Sequence, residues 1–92
     1  MIIFFNKTSG KIIGMIEGRI HKSEHLKEWV GDTKKNDRLI IEWIKNKKGF
    51  FEPNVNNEEQ KKLLIEIDKN PISIYNFIID TSTKELIVKE KE

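Results

Sequence analysis

Arg19, His21, Glu24, His25 and Glu28 are the densest grouping in the sequence of side chains able to bind a metal or move a proton. Two histidines four residues apart share a face when both lie on one helix, and Glu28 would then add a third ligand. Two features oppose this. Gly18 and Ser23 place the start of any helix after His21, which breaks the i, i+4 geometry. Helical zinc-hydrolase motifs also carry Glu directly after the first His, where this chain has Lys22. His21, His25 and Glu28 are candidate ligands by residue type alone, and no metal or cofactor is expected.

Nucleophilic chemistry needs a nucleophile, a base and a group that orients the base. The serines are Ser9, Ser23, Ser73 and Ser82, of which Ser9 and Ser82 read as loop residues and Ser23 as a helix cap. Glu58 and Glu59 fall at a predicted helix N-terminus, where the macrodipole already accounts for carboxylates. The five glycines are scattered, so no phosphate-cradling loop is present. With no cysteine, thiolate metal sites, disulfides and cysteine nucleophiles are excluded. The pattern reads as non-enzymatic.

A second grouping is basic and aromatic. Lys45, Lys47 and Lys48 precede Phe50 and Phe51, with Lys34, Lys35 and Arg38 upstream. Lysines beside exposed aromatics are what single-stranded nucleic-acid binders use for phosphate neutralisation and base stacking. This cluster is also a candidate partner-binding surface, and Trp29, Trp43, Tyr75 and the Phe50–Phe51 pair can anchor a protein partner where they are exposed, since buried aromatic anchors carry much of an interface's energy. Alternatively, Phe50 and Phe51 are core residues at a strand start and the lysines solvate a loop.

The elements that must position these residues follow from periodicity and turn chemistry. Ile2–Phe5 is apolar on both faces and predicts a central strand. It leads through Asn6-Lys7-Thr8-Ser9-Gly10-Lys11 into an apolar strand from Ile12, which makes a hairpin with Gly10 at a φ > 0 position. Phe77–Ile79, Asp80-Thr81-Ser82-Thr83-Lys84-Glu85 and Leu86–Val88 repeat that plan at an offset of 74 residues, with Lys84 in the place of Gly10. Two copies do not make a solenoid, and convergent turn chemistry explains the likeness.

Between the hairpins, Ser23 caps a short helix over Glu24–Val30, with Leu26, Trp29 and Val30 on one stripe. Asn56 and Glu59 read as a capping box that opens a helix over Asn57–Lys69, which Asn70-Pro71 ends. Asp37–Asn46 supports two readings. A helix would align Leu39, Ile40, Trp43 and Ile44, whereas a strand would point Leu39, Ile41 and Trp43 one way and Ile40, Glu42 and Ile44 the other. Its β-branched and aromatic content favours the strand. The expected fold is α+β: a small, mostly antiparallel sheet in the order ββ-α-β-α-ββ, with a hairpin at each end and helices on one face.

The chain's 92 residues fit one domain spanning 1–92, with residues 89–92 expected to fray. Net charge is +2, too small to imply nucleic acid by itself, but it is unevenly spread. Residues 1–32 carry +1, residues 33–48 carry +4 and residues 49–92 carry −3. The longest apolar runs fall far short of a membrane span, and the N-terminal run lacks a basic region ahead of it. A cytoplasmic, membrane-free setting is expected. The Ile, Lys and Asn bias matches A+T-rich coding, as in low-GC bacteria and their viruses.

The loop pattern Asn/Asp-x-Thr/Ser-Ser/Thr-Gly/Lys before an apolar strand resembles hairpins of phage virion and tail-associated proteins, over a short stretch at each end. That resemblance implies a small structural or protein-interaction and assembly module, in host cytoplasm or virion, whose partner is another protein or a second copy. Nucleic-acid binding through the basic middle and Phe50-Phe51 is the alternative.

Overall fold

The computed structural model describes residues 1–17 and 34–89. The Glu24–Val30 helix, the candidate ligands His21, His25 and Glu28, and residues 90–92 lie outside the described residues. The described residues form an α+β fold whose strand pairs are all antiparallel. Seven strands lie among the described residues: β1 (Ile2–Asn6), β2 (Ile12–Ile16), β3 (Asn36–Ile40), β4 (Trp43–Lys45), β5 (Phe51–Pro53), β6 (Phe77–Asp80) and β7 (Glu85–Val88). Helix α1 (Glu58–Lys69) and a 3₁₀ helix (Pro71–Asn76) lie between β5 and β6. The ladders are β2-β1-β3, β4-β5 and β6-β7, so the strands fall into three small sheets.

β1 is the central strand its two-faced apolar run predicts. Met1, Ile3 and Phe5 enter the main core with Ile41, Trp43, Leu64, Ile67, Ile74, Phe77, Ile79 and Leu86. Ile2 and Phe4 point to the opposite face and form a second small buried cluster. The register with β2 shifts between Phe4 and Phe5, which face Gly14 and Ile12, so Ile13 is bulged outward and exposed.

Leu39–Ile44 is extended, which removes the helical alternative. It is divided between two sheets. Ile41 N donates to Met1 O at 2.9 Å, whereas Glu42 O accepts from Asn54 N at 2.8 Å, so the chain changes partners between residues 41 and 42. The alternation survives the change: Ile41 and Trp43 are buried and Leu39 packs on the core, while Ile40, Glu42 and Ile44 face out.

The α1 cap is one residue later than the capping box predicts. Asn57 Oδ1 accepts from Glu59 N at 2.9 Å and Gln60 N at 3.3 Å, making Asn57 the N-cap. Leu64 and Ile67 are the buried side of α1. Pro71 ends α-helical geometry yet suits the first position of the 3₁₀ helix, which buries Ser73 and Ile74. Sequence periodicity gave no warning of that short helix.

The two hairpin loops use one set of hydrogen bonds. Asn6 Oδ1 accepts from Thr8 N and Ser9 N, both at 2.9 Å, and Asn6 O accepts from Gly10 N at 2.9 Å. Asp80 Oδ1 accepts from Ser82 N at 2.9 Å and Thr83 N at 3.4 Å, and Asp80 O accepts from Lys84 N at 2.7 Å. Gly10 takes φ +75° and Lys84 takes φ +58°, the left-handed geometry in both. The loops differ in surroundings. A Cβ on Gly10 would collide with Ile79 O, and Ile79 N donates to Gly10 O at 2.9 Å, so hairpin one docks by its glycine on β6.

Candidate interaction surface

A third loop of related chemistry builds the most exposed aromatic site. Asn46 Oδ1 accepts from Lys48 N at 2.9 Å and Phe50 N at 3.0 Å. Asn46 N donates to Phe50 O at 2.8 Å and Gly49 N donates to Asn46 O at 3.0 Å. Gly49 sits at φ +84°, where glycine carries no steric penalty. Four bonds converging on one asparagine fix the tip of the β4–β5 hairpin.

The hairpin root is buried in the core and its tip is exposed. Trp43 opposes Pro53 in the ladder, and both are buried. One pair outward, Ile44 opposes Glu52, and next Lys45 opposes Phe51. Phe51 is 42 % exposed and Phe50, in the loop, is 69 % exposed. Lys45, Lys47 and Lys48 are exposed and have no carboxylate within ion-pair distance among the described residues. Glu52 is the nearest acid by register, and Lys61 holds it at 3.7 Å. The finger therefore presents three cations and two phenyl rings on a backbone fixed at both ends.

Lys34, Lys35 and Arg38 are not part of it. Lys35 O accepts from Lys7 N at 2.8 Å, which ties that segment to the first hairpin loop, and Arg38 stands opposite Phe4. β3 and the sheet change at Ile41–Glu42 separate these residues from the finger. They are joined instead by Lys84, whose Nζ lies 3.3 Å from Asp37 Oδ2. The bond that Arg38 N donates to Asp37 at 2.8 Å holds this carboxyl below its usual range, with Lys84 and Lys7 adding to it against partial burial. Sequence reasoning passed over Lys7 and Lys84, because nothing in their local pattern ties them to Asp37.

Two grooves flank the N-terminal half of α1. One, of about 320 Å³, lies between β3 and α1 and is lined by Leu39, Ile40, Val55, Asn56 and Lys84, among others. The other, of about 300 Å³, lies between α1 and β7, with Glu59, Asp80 and Glu85 among its walls. No signal in the sequence singled out these residues as one site. Among the described residues no three His, Asp or Glu side chains are grouped to hold a metal, and no helix is long and apolar enough to cross a membrane. Comparison with protein-family models, with curated proteins and with solved structures returns no match.

Proposed function

We propose that the protein is a non-enzymatic interaction and assembly module that engages another protein chain through the β4–β5 finger. The observation that carries this reading is Phe50, a large aromatic side chain 69 % exposed on a tip fixed by Asn46. A rigid aromatic anchor loses little conformational entropy on binding, which is why such residues dominate interface energetics. The surrounding lysines favour a partner with an acidic rim around an apolar pocket. The resemblance of the terminal hairpins to those of phage virion proteins extends the reading to a virion-associated role, in host cytoplasm or particle.

A photo-crosslinking residue at position 50 tests it. The expected result is one defined protein adduct that is lost when Lys47 and Lys48 are reversed to Glu. Absence of any adduct that depends on the lysines would sink the reading. A second reading, single-stranded nucleic-acid binding, draws on the same three lysines and two phenyl rings. Binding to a mixed-sequence oligonucleotide at low salt, where the electrostatic component is strongest, decides it.

A further inference from the structure

The finger is cationic and aromatic, and the α1–β7 groove is its chemical opposite. Glu59, Asp80 and Glu85 line that groove, and no basic side chain among the described residues does. Its apolar wall is Leu63, Ile87 and Val88, with Val88 68 % exposed. Of the lysines next in sequence to its lining residues, Lys84 is turned to Asp37 at 3.3 Å and Lys61 to Glu58 and Glu52 at 3.4 and 3.7 Å, while Lys62 and Lys89 are exposed and do not line it. Glu58 and Glu59 in the first turn outweigh the roughly half positive charge that a helix N-terminus carries.

We propose that the groove between α1 and β7 receives the β4–β5 finger of a second copy of this chain, giving head-to-tail self-association. Phe50 enters beside Leu63 and Val88, and Lys47 and Lys48 face Glu59 and Glu85. A groove of about 300 Å³ is at the small end of sites that enclose a ligand, and one aromatic side chain suits it. The pairing is heterologous, because finger and groove are different surfaces of one chain. Such contacts close into rings or run on as filaments according to the rotation between copies. This inference rests on the assembly reading above and specifies its partner.

The test uses the full chain in sedimentation equilibrium at low and high salt. The wild type is expected to associate at low salt and dissociate as salt screens the charges. Lys47→Glu with Lys48→Glu, and separately Glu59→Lys with Glu85→Lys, are each expected to be monomeric. An equimolar mixture of the two reversed proteins is expected to associate again, because each finger then meets a groove of opposite sign. Circular dichroism confirms that each variant is folded, and Phe50→Ser, which changes an exposed side chain, supplies a second break of about thirtyfold or more in affinity. Association that survives either reversal, or that mixing fails to restore, overturns the proposal. A wild-type monomer at every concentration also overturns it. In that case a position-50 adduct to a different protein leaves the interaction reading standing, and no adduct removes both.

Discussion

The side-chain amide of Gln60 pairs with the backbone of Leu86 as a neighbouring strand would. Leu86 N donates to Gln60 Oε1 at 2.7 Å, and Gln60 Nε2 donates to Leu86 O at 2.8 Å. β7 has β6 on one side, so its other edge presents unpaired backbone groups unless something covers them. Gln60 covers the pair at Leu86, and Asn57 Nδ2 adds a contact to Glu85 Oε2 at 3.3 Å. Hairpin two is thereby tied to α1 by amides, with Leu64 and Leu86 buried beneath.

Replacing Gln60 tests this clasp. Gln60→Ala is expected to cost about 1–3 kcal/mol, the range for leaving partly buried backbone groups without partners. Gln60→Glu is more diagnostic. Its carboxylate still accepts from Leu86 N but donates nothing to Leu86 O, and protonation restores the donor. The neutral form is therefore favoured by folding, so the folded pKa is raised above an ordinary glutamate near 4.3. The compensating stability is present below that value and is lost as pH rises through the folded pKa. Denaturation of Gln60→Glu at pH 3 to 7, referenced to wild type, measures it; a flat difference would show that the amide clasp is not formed.

Gly10 and Gly49 both have positive φ, and their alanine variants should differ sharply. Gly49→Ala meets only Lys45 Cε at 3.9 Å, so backbone strain of about 1–2 kcal/mol is the expected cost. Gly10→Ala adds a collision with the backbone oxygen of Ile79, and the docking of hairpin one on β6 must shift. A loss of about 4 kcal/mol or complete unfolding is expected there, in the range that marks a named structural defect. Urea titration of both variants makes the comparison.

The fold was legible wherever the local pattern and the global arrangement agree. Asn6 and Asp80 announce their loops because an Asx side chain accepting its own downstream amides is a local event. The alternation across Leu39–Ile44 reported the buried side correctly, since side-chain direction follows the pleat whatever the ladder partner is. The change of sheet at Ile41–Glu42 was hidden, because it depends on Met1 and Asn54 rather than on residues 41 and 42. Asn56 and Asn57 compete for one cap, and the choice of Asn57 accompanies the use of Gln60 at Leu86, 26 residues away. The finger's lysines and phenylalanines were visible as a cluster. Their separation from Lys34, Lys35 and Arg38 was not, since a sequence cluster carries no record of the strand running through it.

Lys84 holds left-handed geometry and also pairs with Asp37, and the two effects have opposite consequences for Lys84→Gly. Relief of the positive φ favours the variant, while loss of the ion pair opposes it. Because the pair is solvent-exposed and screened, Lys84→Gly is expected to stabilise by about 0.5–1 kcal/mol at high salt and by less at low salt. The Asp37 carboxyl, held low chiefly by Arg38 N, adds a pH signature. A depressed folded pKa contributes stability above the ordinary value of 3.8, and that stability is lost as pH falls through the folded value. Asp37→Asn should flatten the acid limb of the stability profile below about pH 4. An unchanged limb would show that Asp37 is not the group responsible.

The finger should separate stability from binding. Trp43 and Phe50 belong to the same hairpin, but one is buried at its root and the other stands at its tip. Trp43→Ala removes a core side chain and is expected to cost about 3–5 kcal/mol. Phe50→Ser removes an exposed one and should leave stability within about 0.5 kcal/mol, or raise solubility, because surface substitutions away from special backbone features rarely do more. The same change should abolish whatever contact the finger makes, since an exposed aromatic that contributes little to folding contributes to binding or to nothing. Thermal denaturation and the position-50 crosslink, measured on the same two variants, distinguish these outcomes. If Phe50→Ser destabilises as much as Trp43→Ala, the ring is packed in solution and the finger is a part of the core rather than a surface for partners.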